Sequence, residues 1–139
     1  MVTTIANSQF NKDFEFGEVA LVRPASEEDM KQGIDAWVGG IPFAWRRRRI
    51  PLEQYRQISI RAGRISGMPT EYDKLLNGSF KAELYVFQFT DATIICRVAD
   101  IVNYLKTGAF VKRNNHDFTT TAIYINVDSI PHLELRNKN

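Results

Sequence analysis

Residues 34–49 read IDAWVGGIPFAWRRRR, and the pairing they dictate sets the architecture. Gly39-Gly40 separates two runs of alternating apolar residues. A two-residue hairpin turn that matches strand twist needs positive φ at its central positions, which glycine adopts freely. With that turn fixed, 38 faces 41, 36 faces 43 and 35 faces 44. Alternation puts Ile34, Ala36, Val38, Ile41, Phe43 and Trp45 on one side, the expected core face. Asp35, Trp37, Pro42, Ala44, Arg46 and Arg48 lie on the other, so one carboxylate shares a face with two arginines.

Other elements follow outward from this hairpin. On its N-terminal side GEVALVRP predicts a short strand. Ser26 then caps a short helix with Glu27, Glu28 and Asp29 in its first turn and Gly33 after its end. On the C-terminal side QISIRA is a third strand. Beyond a break at Ser66-Gly67, PTEYDKLLNG is a helix that begins near Thr70 and stops at Gly78. KAELYVFQF and ATIICRV form a second strand pair joined at Thr90-Asp91, DIVNYLKTG is a helix capped by Asp100, and TTAIYINV is the last strand, after the polar loop RNNHD. The order predicts an α/β (or α+β) fold with a single mixed β-sheet flanked by helices, in one domain over 1–139.

Composition narrows the class. The chain has 139 residues, 44% of them apolar, enough for one real core. No run of eighteen apolar residues and no charged-then-apolar N-terminus is present, so neither a membrane span nor a signal peptide is expected. The lone Cys96, in the apolar stretch IICRV, reads as a small buried hydrophobe and not a nucleophile. A single cysteine fits a reducing, cytoplasmic setting, host cytoplasm for a viral protein. His116 and His132 stand apart with no companion at zinc-ligand spacing, and the glycine-rich phosphate loops of nucleotide-binding folds are absent.

Charge is uneven. Between Arg46 and Arg64 lie seven arginines (46, 47, 48, 49, 56, 61 and 64) against one acid, Glu53, so that segment carries +6 in a chain whose net charge is +2. The rest carries about −4, which makes the basic region a patch. Arginine's planar fork suits bidentate phosphate contact. Arg46, Arg47, Arg48, Arg49, Arg61 and Arg64 are therefore candidate nucleic-acid contacts, and Trp37 and Tyr55 are aromatics placed to stack on bases. Each has a structural reading as well: an arginine-rich edge strand discourages sheet-to-sheet aggregation, tryptophans pack, and acids in a first helical turn answer the macrodipole.

The stretch GIDAWVGGIPFAWR resembles the PD-(D/E)XK nuclease superfamily, in which an acid on one strand of a hairpin and an acid-x-lysine tripeptide on the next assemble a divalent-metal site. Asp35 matches the first acid, and Ala44-Trp45-Arg46 stands at the tripeptide. The likeness extends over QISIR and SGMPTEYDKLLNG, toward small phage and viral nucleases and Holliday-junction resolvase relatives, and covers about half the chain. The resemblance implies Mg²⁺-dependent phosphodiester hydrolysis of DNA by a homodimer, one active site per strand. Ala44 departs from the pattern, because it offers no oxygen. The second acid must then come from elsewhere: Glu28 or its neighbours Glu27 and Asp29, or Glu18, with Glu71 and Lys74 as a further displaced acid and lysine. The expected site is thus Asp35, Glu28 and Asp29 on the metal, with Arg46 and Arg48 steadying the phosphate. Two other functions fit the same residues: a non-catalytic nucleic-acid-binding module derived from a nuclease, and an interaction protein whose arginines meet an acidic partner.

Overall fold

The computed structural model describes residues 22–64, 69–114 and 120–136. Glu18 and His116 lie outside these residues, as does the side chain of Arg64. The element order is β1 (Val22–Pro24), α1 (Glu27–Lys31), β2 (Ala36–Val38), β3 (Ile41–Arg47), a 3-10 turn (Leu52–Gln54), β4 (Gln57–Arg64), α2 (Glu71–Asn77), β5 (Leu84–Gln88), β6 (Ala92–Arg97), α3 (Val98–Thr107), β7 (Val111–Asn114), β8 (Thr120–Asn126), a second 3-10 turn (Val127–Ser129) and β9 (Leu133–Arg136).

The fold is mixed α/β, as its sequence predicts, but the strands divide between two sheets where one was expected. A six-stranded sheet has the order β1-β2-β3-β5-β6-β9 and a three-stranded one the order β4-β8-β7. Among the described residues only β3 and β5 run parallel; the other ladders are antiparallel. The segment between β3 and β4 causes the division. Pro51 precedes the 3-10 turn and Arg56 follows it at φ 49, so the chain leaves the first sheet before QISIR begins. β5 takes the place beside β3, and β4 pairs with β8 instead, Ile58 opposite Ile125 and Ile60 opposite Ile123. The four-residue strands β7 and β9 are too short to show a period in sequence.

Hairpin register is as the sequence dictates, Ala36 opposite Phe43 and Val38 opposite Ile41, with Gly39 at φ 58 and Gly40 at φ 81. The assignment of faces needs correction. Ala36, Val38, Phe43 and Val86, with Trp45 and Leu135, form a smaller cluster on the predicted core side. The larger core is on the side of Ala44, where Tyr85, Phe87 and Ile94 meet Ile58, Ile60, Ile123 and Ile125 of the small sheet and Leu75, Ile101 and Leu105 of the helices. Both faces of the large sheet are covered, which is why alternation alone could not tell inner from outer. Asp35 and Arg46 consequently sit at the rim of the inner face.

Helix starts follow capping chemistry. Ser26 and Asp29 form a reciprocal capping box on α1, and Thr70 and Asp73 one on α2, which ends at Gly78 (φ 83). The predicted Asp100 cap is displaced. Helix α3 begins at Val98 with Arg97 as N-cap, and Asp100, in its first turn, accepts a 2.7 Å bond from the Arg97 guanidinium.

Candidate active site

Five elements converge on one cleft of about 240 Å³, lined by Asp35, Arg46, Arg61, Glu71, Lys74 and Tyr85, with Gly33, Ala44, Trp45 and Phe80 completing its wall. Asp35 enters from the base of the hairpin. Its N–H donates to the Phe43 carbonyl (2.8 Å) and its Oδ2 accepts the Trp45 N–H (2.7 Å), so the hairpin backbone aims the carboxylate. Glu71 is the first residue of α2, held there by the Thr70 cap, and Lys74 lies one turn on, on the same side of the helix. Arg61 comes from β4 beside a β-bulge that separates it from Gly63 in the pairing with β8.

Glu71 is the hub. Its Oε1 accepts from Arg46 Nη2 at 2.8 Å and from the Arg61 backbone N–H at 3.1 Å, and its Oε2 accepts the Tyr85 hydroxyl. Arg46 also reaches the Tyr85 oxygen at 3.3 Å. The Arg46 and Glu71 side chains are only 24% and 13% exposed. Burial works against the Arg46 charge, but the Tyr85 oxygen and Glu71 beside it outweigh that and hold its pKa above the ordinary arginine value. Tyr85 is stacked between Phe80 (5.7 Å, 13°) and Phe87 (4.2 Å, 10°). Its burial, and then Glu71, push the phenol well above its usual pKa, so it stays protonated and donates. Gly33 permits this stack: at φ 78 it lies where any Cβ would run into the Phe80 ring.

The Asp35 carboxyl is shifted upward. Burial is the largest cause, the Trp45 N–H opposes it, nearby Glu71 adds to it and Arg46 opposes it. Among the described residues its Oδ1 accepts no hydrogen bond. Asp35, whose ionisation Glu71 opposes, and Glu71 are oxygen donors of the kind a hard cation takes. A carboxylate has about four lone-pair sites; Glu71 has three taken, leaving one. Among the described residues no three His, Cys, Asp or Glu side chains cluster. Two carboxylates are thus what the described cleft could offer a cation, whose other positions would be left to water and phosphate.

The structure brings Asp35, Arg46 and Arg61 together around one cleft and places Glu28, Asp29, Trp37 and Arg48 elsewhere. Glu28 is exposed and pairs with Lys31 at 3.4 Å, and Asp29 is spent on the cap and on the Trp37 indole N–H (3.0 Å); neither lines the cleft, because both are held at the α1 N-terminus by Ser26 capping and the macrodipole. Trp37 is half-buried against the main core and so does not offer its ring for stacking. Arg48 reaches across to the small sheet and bonds Ser59; burial, then the charge of Arg46, hold its pKa below the ordinary value. Arg47, the last residue of β3, and Arg49, beyond it, are exposed. Arg56 is tied to Glu53, Asp128 and Glu134. Of the candidates weighed in sequence, Glu71 and Lys74 are the ones that arrive; Tyr85 had no signal, since it reads as a strand aromatic like its neighbours. Cys96 is buried with its thiol pushed up to about 12, in keeping with a packing role.

No family model, no curated protein and no solved structure matches this chain. No helix among the described residues is long and apolar enough to cross a membrane.

Proposed function

We propose that this protein hydrolyses phosphodiester bonds in DNA, with Asp35 and Glu71 holding a divalent cation. The observation that carries this reading is the cleft itself: an acid on the hairpin, an acid and a lysine on α2 and two arginines meet around one small volume. It is the chemistry implied by the PD-(D/E)XK resemblance, with Glu71 and Lys74 in place of the missing tripeptide acid and lysine. Bound there, Mg²⁺ would polarise a phosphoryl oxygen and supply water of lowered pKa. The chain's own groups do the rest. Asp35 contributes the open Oδ1. Arg46, fixed by Glu71 and Tyr85, presents positive charge without being able to act as a base. Lys74 and Arg61 flank the cleft and offset charge that develops on a phosphate.

Plasmid nicking and oligonucleotide cleavage with Mg²⁺ or Mn²⁺, against EDTA, test the proposal. Metal-dependent cleavage is expected in the wild type and, for Asp35→Asn and Glu71→Gln, a loss of at least about a hundredfold with DNA binding retained. Cleavage that persists in Asp35→Asn rules the assignment out. A second reading draws on the engagement of Glu71 by Arg46, Arg61 and Tyr85: a phosphate-binding module without chemistry. A gel shift with no cleavage under any metal would favour it.

A further inference from the structure

The arginines of this protein sort by partner. Arg56, Arg97 and Arg136 are neutralised by carboxylates outside the cleft, and Arg46 by Glu71 within it. Among the described residues no carboxylate pairs with Arg47, Arg48, Arg49, Arg61 or Arg113, and three of these, Arg48, Arg61 and Arg113, meet at one face of the small sheet. Ile58 and Ile60 of β4 and Ile123 and Ile125 of β8 point into the core. Alternation therefore sends Ser59, Arg61, Ala122 and Tyr124 to the opposite face. Arg61 is paired across β8 with Ala122, which is paired in turn with Arg113 of β7, so the two arginines flank one row. In the next row Ser59 faces Tyr124. Arg48 bonds Ser59 from the large sheet, and the Arg113 guanidinium lies 5.5 Å from the centre of the Tyr124 ring. Arg61 also lines the cleft, so the row starts at the candidate site.

We infer that this face of the β4-β8-β7 sheet is the track for a single strand of DNA, leading into the cleft along Arg61, Arg48, Tyr124 and Arg113; this rests on the reading of the cleft as a phosphodiester site. Three guanidinium groups that no carboxylate among the described residues neutralises suit successive phosphates. An aromatic ring with an arginine over it suits the face of an unstacked base, which a duplex does not present. A cleft of about 240 Å³ is sized for one phosphodiester and not for the width of a double helix.

The test is fluorescence anisotropy in EDTA, so that no cleavage intervenes, with one labelled oligonucleotide offered single-stranded and as a duplex. Wild type is expected to bind the single strand more tightly. Tyr124→Leu should weaken that binding by about five- to a hundredfold, with Tyr124→Phe restoring it. Arg113→Ala should weaken it and flatten the salt dependence by about 0.7 in log–log slope. Lys112→Ala is the control, because Lys112 leaves β7 on the other side. Thermal melting of each variant within a few degrees of wild type establishes that the sheet is intact. Duplex bound as tightly as single strand, or wild-type affinity in both Arg113→Ala and Tyr124→Leu, would overturn the track. Absence of metal-dependent cleavage alongside the expected binding losses would strike the catalytic reading alone, and leave the track standing.

Discussion

At the scale of single residues, the surroundings of Asp35 tie stability to pH. Its pKa is raised above 3.8 by burial and by Glu71, so the folded chain binds that proton more tightly than the unfolded one. Stability must therefore fall as pH rises from about 3.8 through the raised value, and above that window the ionised carboxylate is a standing penalty. Asn can still accept the Trp45 N–H through its amide oxygen. Asp35→Asn is accordingly expected to melt at a higher temperature than wild type at neutral pH, the advantage vanishing below pH 3.8, and added Mg²⁺ should raise the wild-type melting point more than the variant's. Calorimetry across pH reads both; a variant that melts lower at neutral pH would contradict the assigned environment. The meeting of Asp35 with Arg46 was legible in the sequence, because strand alternation and a Gly-Gly turn fix which side chains share a face. The partners Glu71 and Lys74 were visible only as candidates. They reach the cleft through tertiary docking of α2, and nothing local distinguishes them from the acids of α1, which are nearer in the chain but held by their own cap.

Helix α2 is the element on which the candidate site depends. It is seven residues long, too short to hold itself together in water, and its start is set by Thr70, buried at 2% exposure and bonded reciprocally with Asp73. Removing that cap by Thr70→Ala should destabilise the protein by about 1 kcal/mol in chemical denaturation. Because Glu71 and Lys74 are the residues that fraying would displace, the same variant should lose cleavage beyond what its folded fraction explains. Thr70→Ser should keep both properties. Helix and hairpin positions could be read from sequence because caps and turns are local chemistry. Strands β7 and β9 could not, since each is an edge strand of four residues whose partners are supplied by distant segments. Pro51 and Arg56 gave no clear warning that β4 would leave the first sheet: a proline and a left-handed residue mark a turn, not its direction.

At the scale of the whole molecule, the two sheets share one core, and neither can lose a layer independently. Ile58, Ile60, Ile123 and Ile125 are each no more than 1% exposed, and burying such a side chain contributes about 1.5–3 kcal/mol. A chain stopped after Asn114 lacks β8 and β9, so β4 and β7 lose their shared partner and β6 loses one of its two neighbours. Such a truncation is expected to show no cooperative unfolding transition and rapid proteolysis; a sharp transition would mean that the large sheet is autonomous. The same topology has a consequence during synthesis. Gln57 pairs with Asn126, and Ile95 with Leu133, so neither sheet closes until residues beyond 120 have left the ribosome. While the residues between β4 and β8 are being made, then, β4 waits without its β8 partner, and the nascent chain must rely on slow, long-range closure or on a chaperone's shelter to reach its fold without sticking to its neighbours.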